Sequence, residues 1–254
     1  MSSYGKLYGV GVGPGSPDLM TLRSVQVLSE VGAIAIPRSS RWGKSMAWGI
    51  AESNVPDNEK QERFFLTFPM SKDPERVRPA MELAFEEVGQ RIEAGIDVAF
   101  ITLGDPLLFS TFGYLYEEAP RRWPGIEIEV VPGVTSITAV ASAAGTPLAD
   151  GQERIAIVPA TYGTEDLKEI LESFDTTVLM KVGSALSEVQ EVLQATGLGE
   201  RAVYVSRASG STQRVERDVQ GLTEKDMDCF ATVLVMKKER SGVLLGRESG
   251  GGKS

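Results

Sequence analysis

A chain of 254 residues, 42% hydrophobic and 24% charged, is long enough for one large α/β domain or two smaller packed ones, and its composition excludes general disorder. A net charge of −9 argues against a nucleic-acid-binding surface, and no apolar stretch approaches the roughly 20 residues of a membrane helix. One cysteine, Cys229, and no histidine exclude an internal disulfide, cysteine zinc sites, histidine-ligated metals and Ser-His-Asp or Cys-His catalysis, so no metal site is expected.

In chain order, Met1-Ser2-Ser3-Tyr4-Gly5-Lys6 runs straight into a strand pattern without the apolar core of a signal peptide, and a cytoplasmic location is expected. Leu7 to Val12 is that strand, followed by the turn Gly13-Pro14-Gly15-Ser16-Pro17. Asp18 stands where it could cap a helix carrying Leu19, Leu22, Val25, Leu28 and Val31 at helical spacing. Ala33 to Pro37 and Phe64 to Phe68 read as the second and third strands. From Pro79 to Ala94 an amphipathic helix places Ala80, Leu83, Ala84, Val88 and Ile92 on one side, and Gly95 stops it. Val98 to Leu103 is a continuous apolar run, the mark of a strand buried on both faces of a parallel sheet. It meets Gly104-Asp105-Pro106. Ser110 to Glu118 then reads as helix, Ile126 to Val131 as strand ending in Pro132-Gly133, and Ser136 to Ala144 as a helix of small residues.

The remainder changes character. Arg154 to Val158 and Thr176 to Val182 read as strands, and Glu165 to Phe174 and Ser184 to Gln194 as helices. Ala202 to Ser206, Thr212 to Asp218 and Phe230 to Met236 are three strands with little helix between them, which predicts a sheet that is part parallel and part antiparallel. Two α/β domains are therefore expected, 1–120 and 125–240, joined near Ala119 to Gly125, with a Gly/Ser-rich flexible tail over 241–254.

Charge is unevenly spread. Between Pro37 and Gly49 the only charged residues are Arg38, Arg41 and Lys44, and a second group, Lys72, Arg76 and Arg78, is diluted by Asp73 and Glu75. These residues read either as solvated surface or as a basic lip for a polyanionic ligand.

Gly9, Gly11, Gly13 and Gly15 alternate across the first strand end, but the G-x-G-x-x-G spacing fails: the last glycine position holds Pro14 or Ser16. The second strand runs into Pro37-Arg38 instead of an acidic ribose-binding residue, so a dinucleotide site is disfavoured. Two readings remain. The bare strand face admits a bulky partner, or the glycines serve a tight strand-to-helix turn with close packing.

Taken together, Val10-Gly11-Val12-Gly13-Pro14-Gly15-Ser16-Pro17-Asp18-Leu19-Met20-Thr21-Leu22, Leu103-Gly104-Asp105-Pro106 and Val131-Pro132-Gly133-Val134-Thr135-Ser136 resemble the motifs of the tetrapyrrole methylases, class III S-adenosylmethionine-dependent methyltransferases. The resemblance runs from Lys6 to Lys237. Within the family, Ile36-Pro37-Arg38-Ser39, Gly104 to Phe112 and Leu179-Met180-Lys181-Val182-Gly183 are most similar to the members that methylate C-20 of precorrin-2 or cobalt-factor II on the way to cobalamin. Ser110-Thr111-Phe112-Gly113 departs from the Gly-Arg-Gly segment of the uroporphyrinogen methylases.

The resemblance implies two α/β domains with a cofactor cleft between them, usually in a homodimer, and S-adenosylmethionine as the methyl donor. Carried over by position, the cofactor contacts are Leu103, Gly104, Asp105, Leu108, Thr135, Ser136, Met180, Lys181 and Val182, with Ala208 and Thr232 on loops that align less closely. Tyr8, Pro14, Gly15, Arg38, Arg41 and Lys44 are candidate contacts to the tetrapyrrole and its eight carboxylates. The implied reaction is an in-line attack by the electron-rich C-20 carbon on the donor's methyl group, which needs alignment and exclusion of water more than acid–base help. The residue that takes the C-20 proton is unassigned; Tyr8 or a substrate carboxylate are the candidates. From the residues alone, Asp105 also reads as a turn former or helix cap, Thr135 and Ser136 as caps, Met180 as core and Lys181 as a solvated strand end. Other precorrin or related tetrapyrrole-family methyltransferases, and a catalytically inert tetrapyrrole- or nucleotide-binding protein, remain as alternatives.

Overall fold

The computed structural model describes residues 4–69, 71, 73–160 and 165–238. Its described residues fall into two compact units: one runs to Ala139 and includes Ser209–Ser211, and the other begins at Val140 and holds the rest.

The first unit is built on a five-stranded parallel sheet. Its strands are β1 (Leu7–Gly11), β2 (Ala33–Arg38), β3 (Glu62–Thr67), β4 (Val98–Thr102) and β5 (Ile128–Val131), in the order β3-β2-β4-β1-β5. As its unbroken apolar run predicts, β4 lies between β2 and β1 with every residue buried. Strand residues alternate between two layers. Leu7, Ala35, Leu66 and Phe100 pack against α3 (Pro74–Glu93) and α4 (Phe112–Arg122). Val10, Val12, Ile34, Ile36 and Ile101 pack on the other face against α1 (Leu22–Glu30) and α2 (Met46–Ala51).

Several helix starts differ from expectation. Residues Pro17–Leu19 form a single 3₁₀ turn, and α1 begins only after Thr21, whose hydroxyl accepts the Ser24 amide at 3.0 Å; Asp18 does not cap it. The buried face of α1 is accordingly Ser24, Val27 and Leu28, while Leu22 is 90% exposed. Helix α3 starts at Pro74 with Asp73 as its cap and tolerates Pro79 inside it; Leu83 points to solvent, and Met81 and Phe85 fill the core instead. Gly95 follows α3 at φ 77°, the left-handed stop expected of it. Helix α2 begins inside the Pro37–Gly49 segment, to which the sequence reading assigned no helix.

The expected division near residues 119–125 is corrected. Helix α4 runs through that segment to Arg122, and β5 beyond it hydrogen-bonds to β1, with Leu7 opposite Ile128 and Val10 opposite Val131. The boundary lies instead within α5 (Ser136–Ala144), after Ala139.

The second unit holds the mixed sheet predicted for it, in the order β6-β7-β10-β8-β9. Strands β6 (Ile155–Pro159) and β7 (Thr176–Met180) are parallel. Strand β10 (Ala231–Met236) is antiparallel to both β7 and β8 (Ala202–Ser206), and β8 to the short β9 (Arg214–Glu216). Helices α6 (Leu167–Ser173) and α7 (Leu186–Ala195) cover one face through Leu171, Leu186, Val189 and Leu193. Lys72 and the 241–254 tail lie outside the described residues.

Candidate functional site

All five strands of the first unit run parallel, so their carboxyl ends share one edge. The chain leaves β1 for α1 on one face and leaves β4 for α4 on the other. The adjacent ends of β1 and β4 therefore flank a switch point, where open α/β sheets bind ligands.

Four glycines bring the motif turns together at this point. Gly13 and Gly104 form a two-way backbone bridge, N to O at 3.4 and 2.8 Å, and both lie at positive φ, 84° and 71°. A Cβ on Gly11 would stand 2.5 Å from the Gly104 carbonyl oxygen and 2.7 Å from Gly133, and one on Gly133 would stand 2.0 Å from that same oxygen. The turns after β1, β4 and β5 thus touch backbone to backbone. The strand-face glycines serve close internal packing: Gly9 makes room for the ring of Phe112, which a Cβ would meet at 2.2 Å.

Asp105 ties the same turns through its side chain. Its Oδ1 accepts the Leu107 amide at 2.9 Å, and its Oδ2 accepts the Gly133 amide, 28 residues away, at 3.1 Å. Two residues later Thr135 caps α5, its hydroxyl accepting the Thr138 amide at 3.3 Å. The turn-forming and capping roles read from the residues are therefore realised for Asp105 and Thr135. Space remains at Gly104, where an added Cβ would find nothing nearer than the Ser136 amide nitrogen and the Val134 carbonyl oxygen, both at 4.0 Å. The Ser136 amide and the Val134 carbonyl beside it are a backbone donor and acceptor at the start of a helix, groups of the kind that hold polar ligands.

The loop from Asp105 to α4 is pinned at its far end as well. The Ser110 hydroxyl bonds Thr102 Oγ1 at 2.9 Å and accepts the Phe112 amide at 3.1 Å. Between these ties Leu107 and Phe109 are 56% and 46% exposed, and Phe109 takes the left-handed φ of 51°, rare for an aromatic. Apart from its membership of the motif, nothing in the residue pattern marked this exposed apolar pair.

Of the candidate substrate contacts, Pro14 and Gly15 lie on the turn after β1. Arg38 ends β2, its Nε donating to Thr67 Oγ1 at 3.2 Å and its guanidinium 4.8 Å from the Phe65 ring centre. Arg41 and Lys44 follow it, both exposed, beside Trp42 at 90% exposure. Tyr8 stands further from the turn than Pro14 and Gly15 do. It sits three residues before the end of β1, roughly 10 Å back along the strand, beside Glu129 and with Lys6 5.0 Å from its ring centre. Burial pushes its phenol pKa up, and it faces the α1 layer. Arg76 and Arg78 are exposed near the start of α3.

In the second unit the five remaining candidates gather at one end of the sheet. Thr232 is opposite Met180 on one side and Val205 on the other, and Ala231 is opposite Ser206. Met180, Thr232 and Ala208 are buried, and Val182 fills the α6–α7 core. Lys181 and Arg207, directly after β7 and β8, have positive φ of 57° and 49°, as has Ser209 at 63°. Strain of this kind persists only where surrounding contacts hold it. Here Asp228 holds Arg207 through an ion pair at 2.6 Å, and Gly183 lies so close that a Cβ would meet the Asp228 oxygen at 2.5 Å. Sequence reasoning missed Asp228, whose partner is 21 residues away.

Among the described residues no group of three or more His, Cys, Asp or Glu is placed to hold a metal ion, and no helix is long and apolar enough to cross a membrane.

The sequence profile of the Tetrapyrrole (Corrin/Porphyrin) Methylases matches residues 6–221. The chain is 38% identical over 204 residues to the probable cobalt-precorrin-2 C(20)-methyltransferase of Methanocaldococcus jannaschii, covering 78% of this chain and 84% of that one. It is 32% identical over 236 residues to the cobalt-precorrin-2 C(20)-methyltransferase of Salmonella typhimurium, covering 92% and 97%. It is 33% identical over 254 residues to the cobalamin biosynthesis protein CobIJ of Mycobacterium bovis, covering 97% of this chain but only 49% of CobIJ, so it spans about half the length of that relative. Among solved structures, the fold is shared with cobalt precorrin-4 methyltransferase CbiF (TM-score 0.71, 21% identity, 91% of this chain and 94% of that one). It is shared also with the Thermus thermophilus uroporphyrin-III C-methyltransferase complexed with S-adenosylhomocysteine (TM-score 0.66, 23% identity, 91% and 97%).

Proposed function

The chain belongs to the tetrapyrrole (corrin/porphyrin) methylases, and from that membership we propose that it transfers a methyl group from S-adenosylmethionine to C-20 of precorrin-2 or its cobalt form, in cobalamin biosynthesis. The observation that carries this reading is the meeting of the Gly13, Gly104 and Gly133 turns at the switch point of the first unit. Similarity to two C(20)-methyltransferases over most of their length supports the choice of carbon.

Bound at this edge, S-adenosylmethionine would supply a methyl group on a sulfonium, a leaving group that needs no proton. The chain's own part is to bind, orient and exclude water. The proposed cofactor contacts in the first unit are Leu103, Gly104, Asp105, Leu108, Thr135 and Ser136, with the first amides of α5 as the polar surface. In the second unit they are Met180, Lys181, Val182, Ala208 and Thr232. For the tetrapyrrole, Arg38, Arg41 and Lys44 offer cations to its carboxylates, and Pro14, Gly15, Leu107 and Phe109 offer apolar or bare surface on the same edge. We place the protein in the cytoplasm and assign it a homodimeric state, which light scattering on the purified chain measures.

The deciding assay incubates the chain with methyl-labelled S-adenosylmethionine and precorrin-2, its cobalt form or uroporphyrinogen III. Label should enter one or both of the first two at C-20. Transfer to uroporphyrinogen III alone would overturn the substrate, and transfer to none would overturn the activity.

A further inference from the structure

We propose that Phe65 and Thr67 are positioning residues: they hold the Arg38 guanidinium at the carboxyl edge of the first sheet, with its two outer nitrogens left for one carboxylate of the tetrapyrrole. The proposal rests on the methyltransferase reading above and deepens its substrate site.

Among the described residues, three arginines of the first unit are half-buried, and each lies against an aromatic ring. Arg91 is 3.8 Å from the ring centre of Phe64, Arg63 is 4.8 Å from that of Trp48, and Arg38 is 4.8 Å from that of Phe65. Two of the three also meet carboxylates. Arg91 pairs with Glu62 at 2.5 Å and Glu87 at 2.9 Å, and Arg63 with Asp57 at 3.4 Å. Arg38 meets none among the described residues; its Nε donates to Thr67 Oγ1 at 3.2 Å, which leaves Nη1 and Nη2. Keeping a cation partly out of water without a counter-ion is costly, and a ligand carboxylate would offset that cost.

Strand alternation puts the two holders beside it. Ile34 and Ile36 of β2 pack in the α1–α2 layer, so Arg38 emerges on that face. On β3, Phe64 and Leu66 fill the opposite, α3–α4 layer, which leaves Phe65 and Thr67 on the face of Arg38. Arg38 is level with Thr67, and Phe65 is level with Ile36, two residues before Arg38. Phe65 lies on an edge strand and is 47% exposed, so core packing does not account for a phenylalanine there, whereas a flat face for a guanidinium does. Pairing of β2 with β4 ends at Ala35 and Phe100, and both strands run on to the edge that carries the Gly13–Gly104 bridge.

The arrangement explains why the cation is arginine. A guanidinium is flat, so it can lie on a ring, commit Nε to a hydroxyl and still present two parallel N–H groups to both oxygens of a carboxylate. A lysine ammonium is a point charge without that fork.

The test uses the full-length chain and the tetrapyrrole that the wild type methylates in the assay above. Steady-state kinetics are measured for Arg38→Ala, Phe65→Leu and Thr67→Val, and for each of the last two combined with Arg38→Ala. Arg38→Ala should raise the KM for the tetrapyrrole about 10- to 100-fold, the scale of one charge-assisted hydrogen bond. Phe65→Leu and Thr67→Val should each raise it about 3- to 10-fold, with kcat within about twofold and the KM for S-adenosylmethionine unchanged. In the Arg38→Ala background both effects should vanish, and Phe65→Tyr, which keeps the ring, should match the wild type. Undiminished effects in that background would overturn the proposal in favour of direct contact with the substrate. A wild-type KM in either single variant would overturn it outright, and so would an equal rise in the KM for S-adenosylmethionine, which marks a general folding role. Should Phe65→Leu not fold, Thr67→Val, which keeps the branched shape, carries the same comparison. Methylation of none of the three tetrapyrroles by the wild type would instead refute the methyltransferase reading, and the proposal with it.

Discussion

Gly133→Ala puts the backbone packing at the switch point to a quantitative test. The new Cβ would lie 2.0 Å from the Gly104 oxygen and 3.0 Å from Gly11 Cα, both backbone atoms that no side-chain rotation can move. Reaching an ordinary contact of 3.4 Å requires the turns to separate by about 1.4 Å, and that movement also stretches the Asp105–Gly133 hydrogen bond beyond use. Overpacking costs about 1–3 kcal/mol and a lost bond to a charged group about 1.5–3 kcal/mol. Because the two overlap, a net loss of about 3 kcal/mol is expected, or roughly 6–12 °C in melting temperature for a protein of this size. Gly125→Ala is the internal control. Gly125 has φ 85° but nothing within 4 Å of its Cβ position, so it carries left-handed strain alone, about 1–2 kcal/mol. Melting followed by circular dichroism, with and without S-adenosylhomocysteine, compares the two. If Gly133→Ala melts no lower than Gly125→Ala, the close approach of the three turns is not what requires glycine at position 133.

Two further outcomes are expected. Arg38→Ala combined with Lys44→Ala should weaken tetrapyrrole binding at low salt, with the difference from wild type shrinking as salt rises; unchanged affinity at low salt would remove these residues from the substrate site. Asp226 is paired with Arg214 and accepts the Thr223 amide, and these contacts hold its carboxyl at about 2 against an ordinary 3.8. A depressed folded-state pKa contributes stability that is complete above the unfolded value near 3.9 and is lost as pH falls toward 2, with roughly half gone by pH 3. The melting difference between wild type and Asp226→Asn should therefore be largest at pH 6 and narrow toward pH 3, and a constant difference would contradict the assignment.

What the sequence revealed was what local pattern encodes. The apolar run of β4, the Gly95 stop and the whole of α5 were legible because each is written in consecutive residues or one helical period. Helix starts were less so. Asp18 offered a plausible cap, but the competing Thr21 cap lies three residues on and rotates the buried face from Leu22 to Ser24 and Val27. Pro79 looked like a beginning because proline belongs in the first helical turn, yet Pro74 already occupies that place. The unit boundary was misread for a non-local reason: β5 pairs with β1, about 120 residues earlier, and nothing near residues 119–125 signals that. The site divides in the same way. Its three motifs were visible, while the bond from Asp105 to Gly133 that joins two of them spans 28 residues, and the Arg207–Asp228 pair of the second unit spans 21.

Two pairs of readings that compete in the sequence do not exclude one another. Asp105 and Thr135 act on the backbone as a turn former and a cap, and those very actions hold the Gly104 opening and the α5 amides at one edge. A polar surface made from peptide groups has no proton to gain or lose near neutral pH, and methyl transfer from a sulfonium needs none from the protein to release its leaving group. A chain without histidine therefore gives up nothing that this chemistry requires. What it does require is fixed geometry, and glycines packed backbone to backbone supply it more rigidly than flexible side chains would. On this argument the glycines of the three turns are as much part of the candidate site as any residue that would touch a ligand.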